Sequence, residues 1–258
     1  MRVERLGDGP PEVAVVGGIH GDEPCGIAAV RALMESPPAV SRPVALVIAN
    51  ERAAARGTRY IDSDLNRAFP GDPAGDHEAR LAARLDSLLA DCSVLALHST
   101  QSHDEPFAVV DAVTDRTSRL CRRLPIKAVV ETGSFVNGRL FASADVVEVE
   151  CGRQLSTAAT ENAKAIARAF LAAEGVLPDP DPPRDLPVFR LRDRVPKGPA
   201  QEYDVRAENF TRVETGEAFA AADGEPVLAD QPFYPVLMSP EGYDEVFGYA
   251  AERVGTLN

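Results

Sequence analysis

Lysine is nearly absent from this chain. Only Lys127, Lys164 and Lys197 stand among its 27 basic residues, against 40 aspartates and glutamates. The resulting net charge of −13 excludes a nonspecific nucleic-acid binder, because phosphate contacts need stripes of Lys and Arg. An acid-rich, lysine-poor composition fits a halophilic source, where carboxylates hold hydration, and the same arginine bias follows from a GC-rich genome. Cysteine is also scarce. Cys25, Cys92, Cys121 and Cys151 share no CxxC spacing, which excludes a zinc ribbon. With no export signal, disulfides are not expected, and the four read as small buried apolar side chains. No apolar run approaches the roughly 18 residues of a membrane span. Met1 to Arg5 leads into Pro10-Pro11 without the apolar core of a signal peptide. These absences predict a cytoplasmic protein with neither nucleic acid nor membrane as partner.

What is present is a soluble globular composition, 45% hydrophobic and 26% charged over 258 residues, long enough for one large domain or a main domain with a smaller one. Buried strands are expected at 13–16, 44–48 and 93–97, with further strands at 106–111, 127–131 and 145–150. Helical spacing runs over 24–35, where Pro24 suits a first turn, over 76–91 behind a capping Asp76, and over 156–174. Such alternation indicates an α/β sheet with helices on both faces. Residues 51–75 are polar and aperiodic, a loop length that is usually functional. The proline-rich stretch 178–187 divides the chain into a domain of residues 1–177 and a β-rich domain of residues 188–258, whose apolar runs are short and whose turns are frequent.

The chemistry concentrates beyond strand ends, where α/β proteins place their sites. Gly17-Gly18-Ile19-His20-Gly21-Asp22-Glu23 follows the first buried strand. His20 and Glu23 offer a nitrogen and an oxygen donor suited to Zn²⁺, and the glycines let the backbone bend sharply. His98 ends the run 94–97 and supplies a third ligand, giving a set with an open fourth position. His77 reads as a surface residue and His103 as a loop residue. Within 59–71, Arg59 and Arg67 are placed to bind a carboxylate with paired N–H donors, or, for one of them, to stabilise an oxyanion.

These motifs occur in the order Gly-Ile-His-Gly-Asp-Glu, Arg-Tyr-Ile-Asp-Ser-Asp-Leu-Asn-Arg-Ala-Phe-Pro-Gly and Leu-His-Ser-Thr. In that order they resemble the succinylglutamate desuccinylase/aspartoacylase family, relatives of zinc carboxypeptidases. The resemblance covers residues 13–155 strongly and the C-terminal part, through Pro235-Val236-Leu237 and Gly242-Tyr243, more loosely. It implies a mixed sheet flanked by helices with a smaller C-terminal β-rich domain over the active site, and one Zn²⁺ per chain held by His20, Glu23 and His98. It implies that Arg59 polarises the scissile carbonyl, that Asn66 and Arg67 hold the substrate's α-carboxylate, and that Glu150, before a Gly-x-Gln turn, is the catalytic glutamate. Glu148 competes with Glu150, since both point to one face of a strand. Arg139 and Tyr243 match the family's further substrate contacts. The chain departs from the family at Ala96, where Asp-Leu-His becomes Ala-Leu-His and a carboxylate near the ligating histidine is lost.

The activity so implied is hydrolysis of an N-acyl amino acid to a carboxylate and a free amino acid. N-acetylaspartate and N-succinylglutamate need cationic contacts at both ends of the substrate. An N-acetylated diamino acid needs an acidic contact for its ammonium, for which Asp104, Glu105 and Glu241 are available. The alternatives are a zinc carboxypeptidase acting on short peptides and a non-catalytic zinc-binding protein. A homo-oligomer is left open.

Overall fold

The computed structural model describes all residues except 134, 136–138, 143 and 144. Its strands are β1 (Arg2–Leu6), β2 (Val13–Gly17), β3 (Val44–Ile48), β4 (Ser93–Thr100), β5 (Phe107–Val110), β6 (Val129–Glu131), β7 (Asp145–Arg153), β8 (Leu186–Pro196), β9 (Tyr203–Val205), β10 (Ala218–Ala222), β11 (Glu225–Leu228), β12 (Tyr234–Val236) and β13 (Val246–Leu257). Its α-helices are α1 (Pro24–Glu35), α2 (Glu51–Arg56), α3 (His77–Leu89), α4 (Asp115–Cys121) and α5 (Thr157–Ala173).

Ten strands form one mixed sheet in the order β1-β3-β2-β4-β7-β5-β6-β8-β13-β12. The apolar runs of β2, β3 and β4 are buried along their whole length, as central parallel strands covered on both faces should be. Alternate residues divide between two cores. Val13, Val15, Leu46, Leu95 and Val149 face α1 and α5. Ala14, Val16, Val47, Val94 and Ala96 face Leu81, Ala82, Leu85 and Leu89 of α3. Followed toward the carboxyl ends of the strands, this second face turns from apolar to polar. The parallel register of β4 with β7 sets Val94 beside Val146, Ala96 beside Glu148 and His98 beside Glu150.

The helices begin and end where local chemistry directs. Asp76 accepts from the Ala79 N–H at the start of α3, and Ser156 from the Ala159 N–H at the start of α5. At α1 the cap position belongs to Glu23, whose side chain makes no capping bond, and Pro24 follows in the first turn. Three elements of the N-terminal part fall outside the sequence expectation: β1, α2 and the seven-residue α4, which starts behind a Thr114 cap. Edge strand β1 alternates partly exposed and exposed residues and pairs antiparallel with β3. Helix α2 lies inside the stretch 51–75 expected to be loop. It has six residues, too few for a period to show, and runs from an Asn50 cap to a left-handed Gly57.

Residues 178–185 carry no helix or strand. Beyond them β8, β13 and β12 extend the main sheet, with β8 and β13 paired from Leu186–Leu257 to Pro196–Val246. Strands β9, β10 and β11 form a small separate antiparallel sheet around Phe219, Phe233 and Phe247. Asn209 anchors this part to the turn after β4, donating to Ser102 Oγ at 2.9 Å, and the Phe210 ring meets Phe107 at 5.1 Å between centroids.

Helix α1 crosses β2 and β4 in close backbone contact. A Cβ at Gly17 would collide with the Gly26 carbonyl, and one at Gly26 would lie 2.7 Å from the Leu97 carbonyl oxygen. This approach sets the distance between the strand ends and the turn that carries His20 and Glu23. Gly17→Ala is therefore expected to destabilise the fold by about 3 kcal/mol or to prevent folding. Urea denaturation checks this, and an unchanged midpoint would contradict it.

Candidate metal and substrate site

His20, Glu23 and His98 converge at the carboxyl ends of β2 and β4. All three are buried, and one ligand atom of each lies within 4.8 Å of the others. His20 Nδ1 is 2.7 Å from Glu23 Oε1, and His98 Nδ1 is 3.0 Å from Glu23 Oε2. The Ser99 N–H also donates to Glu23 Oε2, at 3.1 Å. Burial opposes charge on Glu23, but the two histidines outweigh it and hold its carboxyl well below the usual range. Burial likewise opposes a proton on His98, yet Glu23, with Glu148 and Glu150 behind it, pushes that pKa up to about 10.

The donors fit a divalent metal with N/O preference, and the surroundings fit it too. His20 Nε2 is 3.1 Å from Asp64 Oδ1, which leaves Nδ1 as the ring atom that faces the cluster. His98 Nε2 is buried and has no hydrogen-bond partner among the described residues.

Asp64 joins the two motifs. Besides His20, its Oδ1 accepts from the Asn66 N–H at 2.8 Å, starting the 3-10 turn Leu65–Arg67. Its Oδ2 takes Arg59 Nε and Nη2 at 3.4 and 3.3 Å. Arg59 Nη1 reaches Glu23 Oε1 at 3.3 Å, so the guanidinium sits beside the cluster with part of its surface open to the cleft. The loop before Asp64 is held from below by Glu78. This fully buried carboxylate in the first turn of α3 accepts from the N–H groups of Ile61, Asp62 and Ser63 at 2.8, 3.0 and 3.2 Å, and from Asn50 Nδ2 at 2.8 Å.

The substrate-contact residues expected from the sequence lie around the same hollow. The buried Asn66 donates through Nδ2 to Glu148 Oε1 at 3.0 Å and accepts the Leu140 N–H at 3.0 Å. Arg67 is exposed and donates to the Asn66 carbonyl at 2.7 Å. Arg139 is buried with its Nη1 3.9 Å from Glu148 Oε2. Tyr243 lines the hollow and meets Tyr249 edge-on at 6.1 Å. Glu150 Oε2 is buried without a partner among the described residues. Burial, countered by His98 and reinforced by Glu23 and Glu148, pushes the Glu150 carboxyl up to about 7. His20, Glu23, Arg59, Asn66, Arg67, His98, Arg139, Glu150 and Tyr243 all line one cavity of about 220 Å³. A wider surface hollow of about 1050 Å³ beside Val3, Pro11 and Leu88 includes none of these residues.

Other expectations are corrected. Asp104 pairs with Arg153 at 2.6 Å and Glu105 with Lys127 at 3.0 Å, and both line a different hollow, because the loop after β4 turns away from the cleft. Of the three acids offered for a substrate ammonium, only Glu241 borders the cavity. His103 packs against Phe107 and Phe210, and His77 faces Asn50 Oδ1 at 3.1 Å. Sequence reading gave no role to Asp64, although it stands inside the quoted motif, or to Glu78, which looks like an ordinary acid at a helix start.

Fold and site define a class: an α/β protein with a His–Glu–His cluster, able to hold a metal ion, at the carboxyl ends of its central strands. Residues 10–173 match the succinylglutamate desuccinylase/aspartoacylase catalytic domain, and the chain belongs to that family. The N-acyl-aromatic-L-amino acid amidohydrolase (carboxylate-forming) of Rattus norvegicus is 37% identical over 111 residues, 35% of this chain and 34% of that protein. The N-alpha-acetyl-L-2,4-diaminobutyric acid deacetylase of Halomonas elongata is 35% identical over 107 residues, 38% of this chain and 31% of that protein. The matched segments thus span about a third of the length of these curated relatives. The product-bound ectoine utilization protein of Ruegeria pomeroyi shares the fold, with a TM-score of 0.80 at 20% identity over 97% of this chain and 87% of that one.

Glu78 clamps the loop before Asp64 by its backbone. Its hydrogen bonds to three backbone N–H groups and Asn50 outweigh burial and hold its carboxyl below the usual range. The stability it contributes is present above the unfolded carboxyl's pKa of about 4.3 and is lost as pH falls through the lower folded value. Glu78→Gln should cost about 2–3 kcal/mol near pH 7. It should also flatten the decline in stability below about pH 4. Denaturant titrations across pH test both, and parallel curves for the two proteins would contradict the assignment.

Proposed function

We propose that this chain is a zinc-dependent amidohydrolase that removes the acyl group from an N-acyl amino acid. The observation that carries the reading is the buried Glu150 Oε2, without a partner among the described residues, on a side chain set in register beside His98, with arginines on the walls of the same small cavity. A non-catalytic metal site needs neither that carboxylate nor those arginines. At about 220 Å³ the cavity lies below the roughly 300–1,000 Å³ of most small-molecule pockets, which suits a single acylated amino acid better than a peptide.

His20, Glu23 and His98 would hold the zinc ion, which when bound supplies Lewis acidity and a lowered pKa for water. Glu150 takes a proton from the attacking water and returns it to the departing amine, a role suited to a carboxyl with a pKa near 7. Arg59, oriented by Asp64, donates to the scissile carbonyl oxygen as negative charge develops on it. Arg67 and Asn66 hold the substrate's carboxylate, and Arg139 and Tyr243 contact its remaining polar groups. Binding at several points fixes the amide before reaction.

Release of free amine from a panel of N-acyl amino acids tests the reading. Chelator treatment is expected to abolish turnover and added Zn²⁺ to restore it. Glu150→Gln should keep the melting temperature and metal content and lose about 10²- to 10⁴-fold in kcat. Near-normal turnover by the variant, or chelator-resistant turnover, would overturn the proposal.

A further inference from the structure

The second glutamate of β7 faces the same cavity as Glu150 and has a different set of partners. Glu148 stands in parallel register with Ala96, one step behind the His98–Glu150 pair on the same face of the sheet. Adjacent strands lie about 4.8 Å apart, so what one side chain leaves empty its neighbour can fill. Ala96 contributes only a methyl group at a fully buried position. The Glu148 carboxylate is also buried, and both of its oxygens are directed at side chains of the substrate cleft. Oε1 accepts from Asn66 Nδ2 at 3.0 Å, and Oε2 is 3.9 Å from Arg139 Nη1.

Each partner depends on this contact. The Asn66 amide is bound at its oxygen by the Leu140 N–H and at its nitrogen by Glu148, which fixes the direction in which it faces. Among the described residues, Glu148 is the one carboxylate within 4.0 Å of the Arg139 guanidinium. A buried arginine without a counter-ion is costly. The engagement of both oxygens also separates Glu148 from the role of general base, for which Glu150 has a bare oxygen.

We propose that Glu148 is a positioning residue that fixes Asn66 and Arg139 for the substrate, and that a carboxylate at its register neighbour on β4, the position of Ala96, would serve the same purpose. The proposal rests on the deacylase reading.

The test uses zinc-loaded wild-type protein, Glu148→Gln, Glu148→Ala, and Glu148→Ala combined with Ala96→Asp. Steady-state kinetics are measured on an N-acyl amino acid that the wild type cleaves. Glu148→Ala is expected to raise KM about 10- to 100-fold with kcat within about threefold and metal content unchanged. Adding Ala96→Asp should return KM to within about threefold of wild type. A purely structural role would lower the melting temperature and the active fraction without moving KM. Should Glu148→Ala fail to fold, Glu148→Gln carries the test: a raised KM at an unchanged melting temperature supports the proposal, and an unchanged KM overturns it. A raised KM that Ala96→Asp does not recover overturns the claim that a carboxylate at the Ala96 position can serve in place of Glu148. Wild-type turnover with an unchanged KM in Glu148→Ala overturns the inference alone, whereas a wild type inactive on every substrate overturns the deacylase reading and this inference with it.

Discussion

One buried carboxylate shared by two histidines organises this molecule. Glu23 occupies the cap position of α1, yet its side chain turns away from the helix and lies between His20 and His98. The helix start thus forgoes a side-chain cap, and the sheet's carboxyl edge gains a charge that burial alone would not tolerate. Counter-charge comes from the histidines and from Arg59, and the same surplus of negative potential makes the pocket a place for a metal cation. Glycine at positions 17 and 26 allows the strand-to-helix approach that puts Glu23 within reach of His98, 75 residues further along the chain.

Around this centre the chain uses buried and half-buried acids as fasteners. Asp64 ties Arg59, His20 and the 3-10 turn together, Glu78 holds the preceding loop by its backbone, and Glu148 reaches Asn66 and Arg139. Each accepts from partners that would otherwise be mobile or buried without a mate. Asp64 and Glu78 lie outside the ring of groups facing the cavity, whereas Glu148 is part of that ring. Many of the acids that give the chain its charge of −13 are solvated, but these few set the geometry of the arginines and amides that would meet a substrate.

Much of this was legible in the sequence, and the remainder was hidden for definite reasons. Central strands announce themselves as unbroken apolar runs, and α1, α3 and α5 by spacing and caps, because burial on a fixed face constrains residue type. The cluster was legible because its ligands follow strand ends and fall in recognisable motifs. Helix α2 was not, since six residues complete fewer than two turns. The role of Glu78 was hidden because its main partners are backbone N–H groups, and any residue type supplies those. Period-two alternation correctly placed Glu148 and Glu150 on one face. Which of them is engaged depends on Asn66, 82 positions away, and that no local pattern contains. Asp104 and Glu105 were misplaced because the direction of a loop is set by what it packs on, here Arg153 and Lys127.

The arrangement of the cleft centres on the cation site that His20, Glu23 and His98 would form. X-ray absorption on the protein loaded with one equivalent of Zn²⁺ tests it most directly. A single site with nitrogen and oxygen neighbours at about 2.0–2.2 Å and no sulfur is expected. Failure to bind, or a zinc–sulfur distance near about 2.3 Å that would place the ion on buried thiols such as Cys25 or Cys151, would contradict it.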